Sequence, residues 1–364
     1  MAGKHSQNME NKIDRGTNYK IKTKKSKPKK RRTLKIIGLI LLVILIIIAG
    51  IGVGGYSYIM NKLNKMQQVE INVEELDVNE ELKGYRNIAI FGVDSRDTNL
   101  GKGNRSDCII IASINQETND IKLLSVYRDT YVEIEGHGLD KITHAYSYGE
   151  APLAIKTLNT NLDLNITEFV TVNFDLVADL INDIGGIQIT LEQAEIKYIN
   201  DYIDATATST GISSSHVNKA GTQTLDGVQS VAYSRIRYTS GGDYKRTERM
   251  RDVLTAVFNK VKKMGIGEIN NLLDKYLPRV YTNLNAGNIL SLATNALSYN
   301  ITDSVGWPYK TQGITLDRWY GVPVTLESNV KQLHEEAFEE TDYEVPDKIK
   351  TISNKIITKT GYKQ

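Results

Sequence analysis

From Ile36 to Met60 the chain carries no charged residue, and Leu39–Ile48 is built almost wholly from Ile, Leu and Val. At 25 residues the run exceeds the roughly 20 that cross a bilayer as a helix. A helix buried in a soluble core rarely stays apolar on every side for so long, so the run predicts a single membrane span. A cleaved leader is the rival reading. The apolar stretch is long for one, and Ala49-Gly50-Ile51 makes a weak cleavage site.

Past the span the pattern shortens. Residues 61–84 are polar and acidic and read as a stalk or a short leading helix. Asn87–Val93, Cys108–Ile114 and Ile121–Val126 are short, β-branched and bounded by polar or glycine residues, the signature of buried strands. Ala151–Leu162 reads as a helix and Glu168–Asn173 as a strand. Over residues 174–184, Leu176, Val177, Leu180, Ile181 and Ile184 form a helical stripe, which Gly185-Gly186 stops. Ile187–Leu191 is the next strand, and the Ser/Thr-rich residues 204–219 predict a mobile surface loop. Leu225–Ser234 and Tyr244–Lys263 predict helices, with Val253, Val257 and Val261 on one side of the second. More helical segments follow, then an aromatic stretch, Trp307 to Tyr320, read as strand and loop. Strands interleaved with helices indicate an α/β layered domain. The parts are then a tail over 1–35, the span over 36–60, a stalk over 61–84, a folded domain over 85–325 and a loose polar tail over 326–364.

Charge divides the chain at the same place. Residues 1–35 hold 13 Lys and Arg against Glu10 and Asp14, while the remainder holds 32 basic and 41 acidic residues. The flank Lys20–Lys35 is dense in Lys and Arg, which orients the N-terminus to the cytoplasm and the domain outward. The basic tail reads as a topology signal with affinity for anionic lipid, and no nucleic-acid partner is expected. A single cysteine, Cys108, excludes a disulfide framework, and its place in an apolar strand reads as a small buried hydrophobe. An exported domain with so little cysteine, in a Lys/Asn/Ile-rich chain, points to a Gram-positive cell surface.

The chemistry sits at predicted strand ends, where α/β sheets bind ligands. Gly92-Val93-Asp94-Ser95-Arg96 closes one strand, Arg105-Ser106-Asp107 opens the next, and Ser125-Val126-Tyr127-Arg128-Asp129 closes a third. Ser234-Arg235-Ile236-Arg237-Tyr238 precedes Gly242-Asp243-Tyr244-Lys245-Arg246 and Arg249. Arginine is a planar fork of donors suited to phosphate or carboxylate, so this many at loop positions of an acidic domain predict an anionic, oxygen-rich substrate. Arg235 and Arg237, two apart, project to one side if the segment is extended. Asp94 and Asp107 are hard oxygen donors of the kind that hold Mg²⁺ (or Mn²⁺) beside a phosphate, or else they cap turns. His144 and Tyr146 are acid or base candidates, or packed side chains. No P-loop and no Gly-x-Ser-x-Gly elbow occurs.

Taken in order, these motifs resemble the LytR–CpsA–Psr family of bacterial cell-wall proteins. The resemblance covers residues 86–262, and more loosely to about 325. It rests on the strand-end motifs above with Thr130, on Lys141-Ile142-x-x-Ala145-Tyr146, Leu225-x-Gly227 and Ala232-x-x-Arg235-x-Arg237, and on Gly242-Asp243-x-x-Arg246-x-x-Arg249. It implies an α/β/α sandwich with a central mixed sheet, holding a polyprenyl chain in a pocket and its pyrophosphate at the rim. The implied activity is transfer of an anionic glycopolymer, teichoic acid or capsule, from a polyprenyl-pyrophosphate carrier to peptidoglycan. The implied metal ligands are Asp94 and Asp107. The implied pyrophosphate and catalytic arginines are Arg105, Arg128, Arg235, Arg237 and Arg246. On mechanism, Arg128 is the first choice for stabilising the leaving group, and Asp94 is the candidate base if one acts. Phe174, Val177, Leu180 and Ile181 are the candidate lipid-pocket lining, or an ordinary helix–sheet core. Two positions depart from the family pattern: Tyr127 replaces a usual Pro, and Met250 replaces a frequent Gln and cannot donate. The alternatives are a receptor that holds the lipid-linked polymer without turnover and, less well supported, a membrane-bound transcription attenuator.

Overall fold

The structure, a computed structural model, describes residues 60–363 apart from 62–64, 96–99, 102 and 296–297. The basic tail and, but for Met60, the expected span lie outside the described residues. Among the described residues no helix is long and apolar enough to cross a membrane. In chain order the elements begin β1 Gln67–Gln68, β2 Tyr85–Val93, β3 Ser106–Asn115, β4 Asp120–Val126, β5 Tyr131–Ile134, β6 Gly138–Lys141 and α1 Ile142–Leu162. There follow β7 Glu168–Asn173, α2 Phe174–Asp183, β8 Ile187–Leu191, α3 Gln193–Thr210, β9 Gly221–Leu225, α4 Gly227–Arg235 and α5 Gly242–Val261. Last come α6 Ile266–Tyr276, β10 Tyr281–Thr282, α7 Ala286–Thr294, β11 Asn300–Trp307, β12 Thr311–Thr315, β13 Trp319–Pro323, α8 Leu326–Ala337 and α9 Asp347–Thr360.

Seven strands form a mixed sheet in the order β1-β10-β7-β2-β3-β4-β11. β2 runs parallel to β7 and β4 parallel to β11, while β3 is antiparallel to both its neighbours. The ends of β2, β4, β7 and β11 therefore meet the start of β3 along one edge. Both faces of the sheet are covered. Ile88 and Ile90 join Val170 and Val172 in a core with α2 to α7, whereas Ala89, Phe91 and Val93 join Phe169 in a core with α1, α8 and α9. A strand buried on both faces has no polar side to show, which is why these segments read as unbroken apolar runs. Burying each such side chain contributes about 1.5–3 kcal/mol.

Helix starts are set locally. The Asn173 side chain accepts from Leu176 N to cap α2, and Asp226 with Gln229 forms a reciprocal capping box on α4. Gly227 lets α4 lie on α2, because a Cβ there would overlap the Ala178 carbonyl oxygen.

Several expected boundaries are corrected. The expected loop 204–219 is helical to Thr210, where Gly211 ends α3 in the left-handed region. Ile199, Ile203 and Thr206 are its buried stripe, which the Ser/Thr-rich composition obscures. The region 326–364 is no loose tail. Leu326, Val330 and Leu333 of α8, with Ile349, Ile352 and Ile356 of α9, recur at helical spacing and complete the second core. Nor is 61–84 a free stalk over its described part, since β1 pairs with β10 and Leu76 and Leu82 are buried. The expected helix from Ala151 to Leu162 is present; α1 also includes a preceding helical stretch from Ile142, separated from it by a non-helical break at Gly149 and Glu150. Leu225 ends β9 instead of opening a helix.

Candidate active site at the strand ends

The register pairs Val93 with Ser106 across β2 and β3, so Asp94 and Asp107 each adjoin that pair in sequence. Asp94 is exposed. Asp107 is the hub of a cluster. Its Oδ1 accepts from Arg128 Nη1 at 2.8 Å, and its Oδ2 lies 4.0 Å from Arg237 Nη2. Arg246 Nη2 donates to its backbone carbonyl. A second carboxylate, Asp243, places one oxygen 2.8 Å from Arg246 Nη1 and 3.8 Å from both Arg128 Nε and Arg237 Nε. A third, Asp129, lies 3.4 Å from Arg128 Nε and 2.6 Å from Lys141 Nζ.

Four cations thus face three carboxylates. Burial by itself lowers the Arg128 pKa, but Asp107, Asp129 and Asp243 outweigh it and raise it above the usual value. Arg246 is 2% exposed; burial, with Arg128 and Arg237 beside it, pulls its pKa below the usual value against Asp243. Like charges held this close are retained by the carboxylates, and a polyanion satisfies the same donors better.

The expected pair Arg235 and Arg237 is split, because Arg235 closes α4 rather than lying in an extended segment. Its guanidinium sits 5.6 Å over the Phe174 ring and donates to Thr206 Oγ1 at 3.1 Å. Arg237 alone turns to the aspartates. Arg105 is exposed in the loop before β3 and makes no ion pair among the described residues. Arg96 lies outside the described residues.

Beneath the rim is a narrow apolar slot of about 80 Å³. It reaches Gly92, Cys108 and Asn173 at the strand ends, and Phe174, Val177, Met250 and Val257 line it. Leu180 and Ile181, expected beside Phe174 and Val177, do not line it; they are fully buried in the helix–sheet core. Met250 is a wall of the slot, so the departure from Gln puts an apolar surface there. Burial pushes the Cys108 thiol up to about 12, leaving it neutral. Tyr146 Oη donates to Leu100 O at 2.9 Å and lies 3.0 Å from Thr171 Oγ1 inside the core, a packed role, and His144 Nδ1 lies 2.8 Å from Asp140 Oδ2.

The sequence motifs contain Asp243 and Arg249 without assigning either a role, and Glu195 stands outside them. Arg249, 0% exposed, pairs with Glu195 at 2.6 Å and donates to Ile236 O and Thr239 Oγ1. It pins the segment carrying Arg237. The spacing of Asp243 and Arg246, three apart at a helix start, signals their pairing. Glu195, fifty-four positions from Arg249, carries no local signal at all.

Among the described residues no three His, Cys, Asp or Glu side chains gather as a metal cage. Asp94 and Asp107 nevertheless fit Mg²⁺ by donor chemistry. Both are hard oxygen donors, Asp107 among the arginines and Asp94 exposed just past the end of β2, and Mg²⁺ is commonly held by one or two carboxylates plus phosphate and water.

Comparisons with known proteins place the chain in a family. The LytR_cpsA_psr family pattern matches residues 53–336. The polyisoprenyl-teichoic acid–peptidoglycan teichoic acid transferase TagT of Bacillus subtilis is 28% identical over 274 residues, 72% of this chain and 82% of that protein. The TagU transferase of Enterococcus faecalis is 31% identical over 224 residues, 61% of this chain and 68% of that protein. A solved structure of TagT bound to LIIa-WTA superposes with a TM-score of 0.55 at 26% identity, over 73% of this chain and 93% of that one. The structure of TagT with bound octaprenyl pyrophosphate lipid gives 0.52 at 25% identity, over 73% of this chain and 92% of that one. The chain belongs to the LytR_cpsA_psr family.

Proposed function

We propose that this protein transfers an anionic glycopolymer, of the teichoic acid class, from a polyprenyl-pyrophosphate carrier to a hydroxyl of peptidoglycan. The observation that carries the reading is the placement of Arg128, Arg237 and Arg246 around Asp107 and Asp243, directly above an apolar slot. A pyrophosphate needs the first and a prenyl tail needs the second. Relatives named as transferases, and relatives solved with polyprenyl lipid and wall teichoic acid, support the same chemistry.

Phosphoryl transfer asks mainly for alignment and charge neutralisation. Arg128, Arg237 and Arg246 bind the two phosphates, and Arg128 stabilises the charge that develops on the leaving polyprenyl phosphate. The acceptor oxygen forms a bond to phosphorus as the bond to polyprenyl phosphate breaks. The hydroxyl proton is lost, with exposed Asp94 the candidate acceptor. Asp94 and Asp107 would hold Mg²⁺, which when bound neutralises phosphate charge. Arg235, stacked on Phe174, guards the passage from rim to slot. A slot of about 80 Å³ admits only a short stretch of chain, so a full tail requires α2 and α5 to part. The apolar run 36–60 anchors the domain to the membrane that supplies this lipid, with the N-terminus cytoplasmic and the domain outside.

The test is turnover by the full-length protein with lipid-linked donor, Mg²⁺ and peptidoglycan. Release of polyprenyl phosphate together with polymer-linked product is expected. Stable binding of donor with no release establishes the receptor reading instead.

A further inference from the structure

A second cavity, of about 740 Å³, opens on the opposite face of α5. Met250, Val253 and Val257 turn toward the lipid slot, whereas Arg251, Thr255 and Asn259 turn toward this cavity. At 3.6 residues per turn these sets lie on opposite sides of the helix. The other walls are β8 and the edge strand β11, which contribute side chains such as Gln188 and Thr302. Where the slot is apolar, this cavity has a mixed lining: Ile189, Ala256 and Ile301 stand beside amides and hydroxyls, with Arg251, Lys260, Lys263, Asp252 and Asp303 among its charges.

Arg251 makes the cavity more than a crevice. Its Nε and Nη1 are buried and have no hydrogen-bond partner among the described residues. Buried unpaired donors are costly, and a shift of the Arg251 guanidinium into the cavity would offer them to a carboxylate or phosphate. The strand that walls the cavity also touches the segment carrying Arg128. Tyr127, the neighbour of Arg128, lies against β11, since a Cβ on Gly306 would overlap its hydroxyl.

We propose that this polar cavity is the acceptor subsite, binding a hydroxyl- and amide-rich glycan strand whose peptide carboxylate pairs with Arg251. The inference rests on the transfer reading above. In phosphoryl transfer the attacking and leaving oxygens lie roughly in line, on opposite sides of phosphorus. The leaving oxygen departs with the lipid on one face of α5. The acceptor therefore approaches from the other face, where the walls are polar and a cation lacks a partner.

The experiment measures the full-length protein in two arms. In the first, Arg251→Gln raises the acceptor concentration for half-maximal transfer about tenfold, with the donor requirement and the rate at saturating acceptor unchanged. In the second, fluorescence anisotropy follows labelled uncross-linked peptidoglycan strands without any donor. Wild-type protein binds them, Arg251→Gln weakens binding about tenfold, and Arg128→Ala leaves it intact. Lys263→Glu, at the exposed lip, weakens binding in the same direction and covers the case in which Arg251→Gln fails to fold. A rise in the donor requirement instead assigns the cavity to the donor polymer and overturns the proposal, as does strand binding unchanged in both variants. Strand binding that behaves as expected in a protein without turnover sinks the transfer reading and leaves the subsite standing.

Discussion

Two arginine sites of this domain do opposite things. Arg249 is fully buried, and all three of its guanidinium nitrogens are spent on Glu195, Ile236 O and Thr239 Oγ1. Arg128 and Arg237, with side chains 20% and 42% exposed, share Asp107 and Asp243 at distances out to 4.0 Å. The first site is fully buried and closed to any ligand. The second is held together but loosely enough that a stronger anion displaces its partners. The same side chain thus serves as a fastener where its donors are used up and as a receptor where they are not.

That contrast breaks first at Arg249. Arg249→Met leaves Glu195 buried without its partner, which costs about 3–5 kcal/mol of stability; denaturant unfolding reads it directly. An unchanged midpoint would show the pair to be dispensable. A smaller effect is expected at the slot. Met250→Gln places an amide against apolar walls at about 1–3 kcal/mol and weakens binding of a prenyl pyrophosphate; tighter binding in calorimetry would mean that the missing donor matters more than the apolar wall. At the rim, Arg237→Ala removes one exposed donor and weakens binding of the same lipid about tenfold, roughly 1.4 kcal/mol, while the melting temperature stays put. Last, Cys108, whose thiol burial keeps neutral with its pKa at about 12, reacts slowly with iodoacetamide at pH 8 and more slowly still once lipid fills the slot. Its thiolate fraction, and so its rate, climbs as pH rises toward that value; a rate levelling off near pH 9 would contradict it.

The sequence showed the sheet strands well, because strands buried on both faces leave unbroken β-branched runs such as Ile109–Ile111. It showed helices less well where their apolar stripe is thin. Ile199 and Ile203 hide among Ser and Thr, and the two C-terminal helices hide among charges that face solvent. At the site, the arginine motifs marked the rim, and Asp107 with Arg128 meets there. The division of labour was not legible. Arg235 and Arg237 look equivalent as a spacing, but a helix end falls between them and sends one to Phe174 and the other to the aspartates. Arg249 sits in the same motif as Arg246, yet its role depends on Glu195, whose arrival is a matter of tertiary packing. The polar cavity had no sequence mark either, since its walls come from four separated segments.

The account turns on Arg128 as the group that stabilises charge on the departing lipid phosphate. Single-turnover transfer by Arg128→Ala, with folding verified by an unaltered melting curve and donor held at saturation, tests it most directly. A fall in rate of about 10²–10³ is predicted, the loss expected for removal of one preorganised donor. Transfer at the wild-type rate by the folded variant would contradict it.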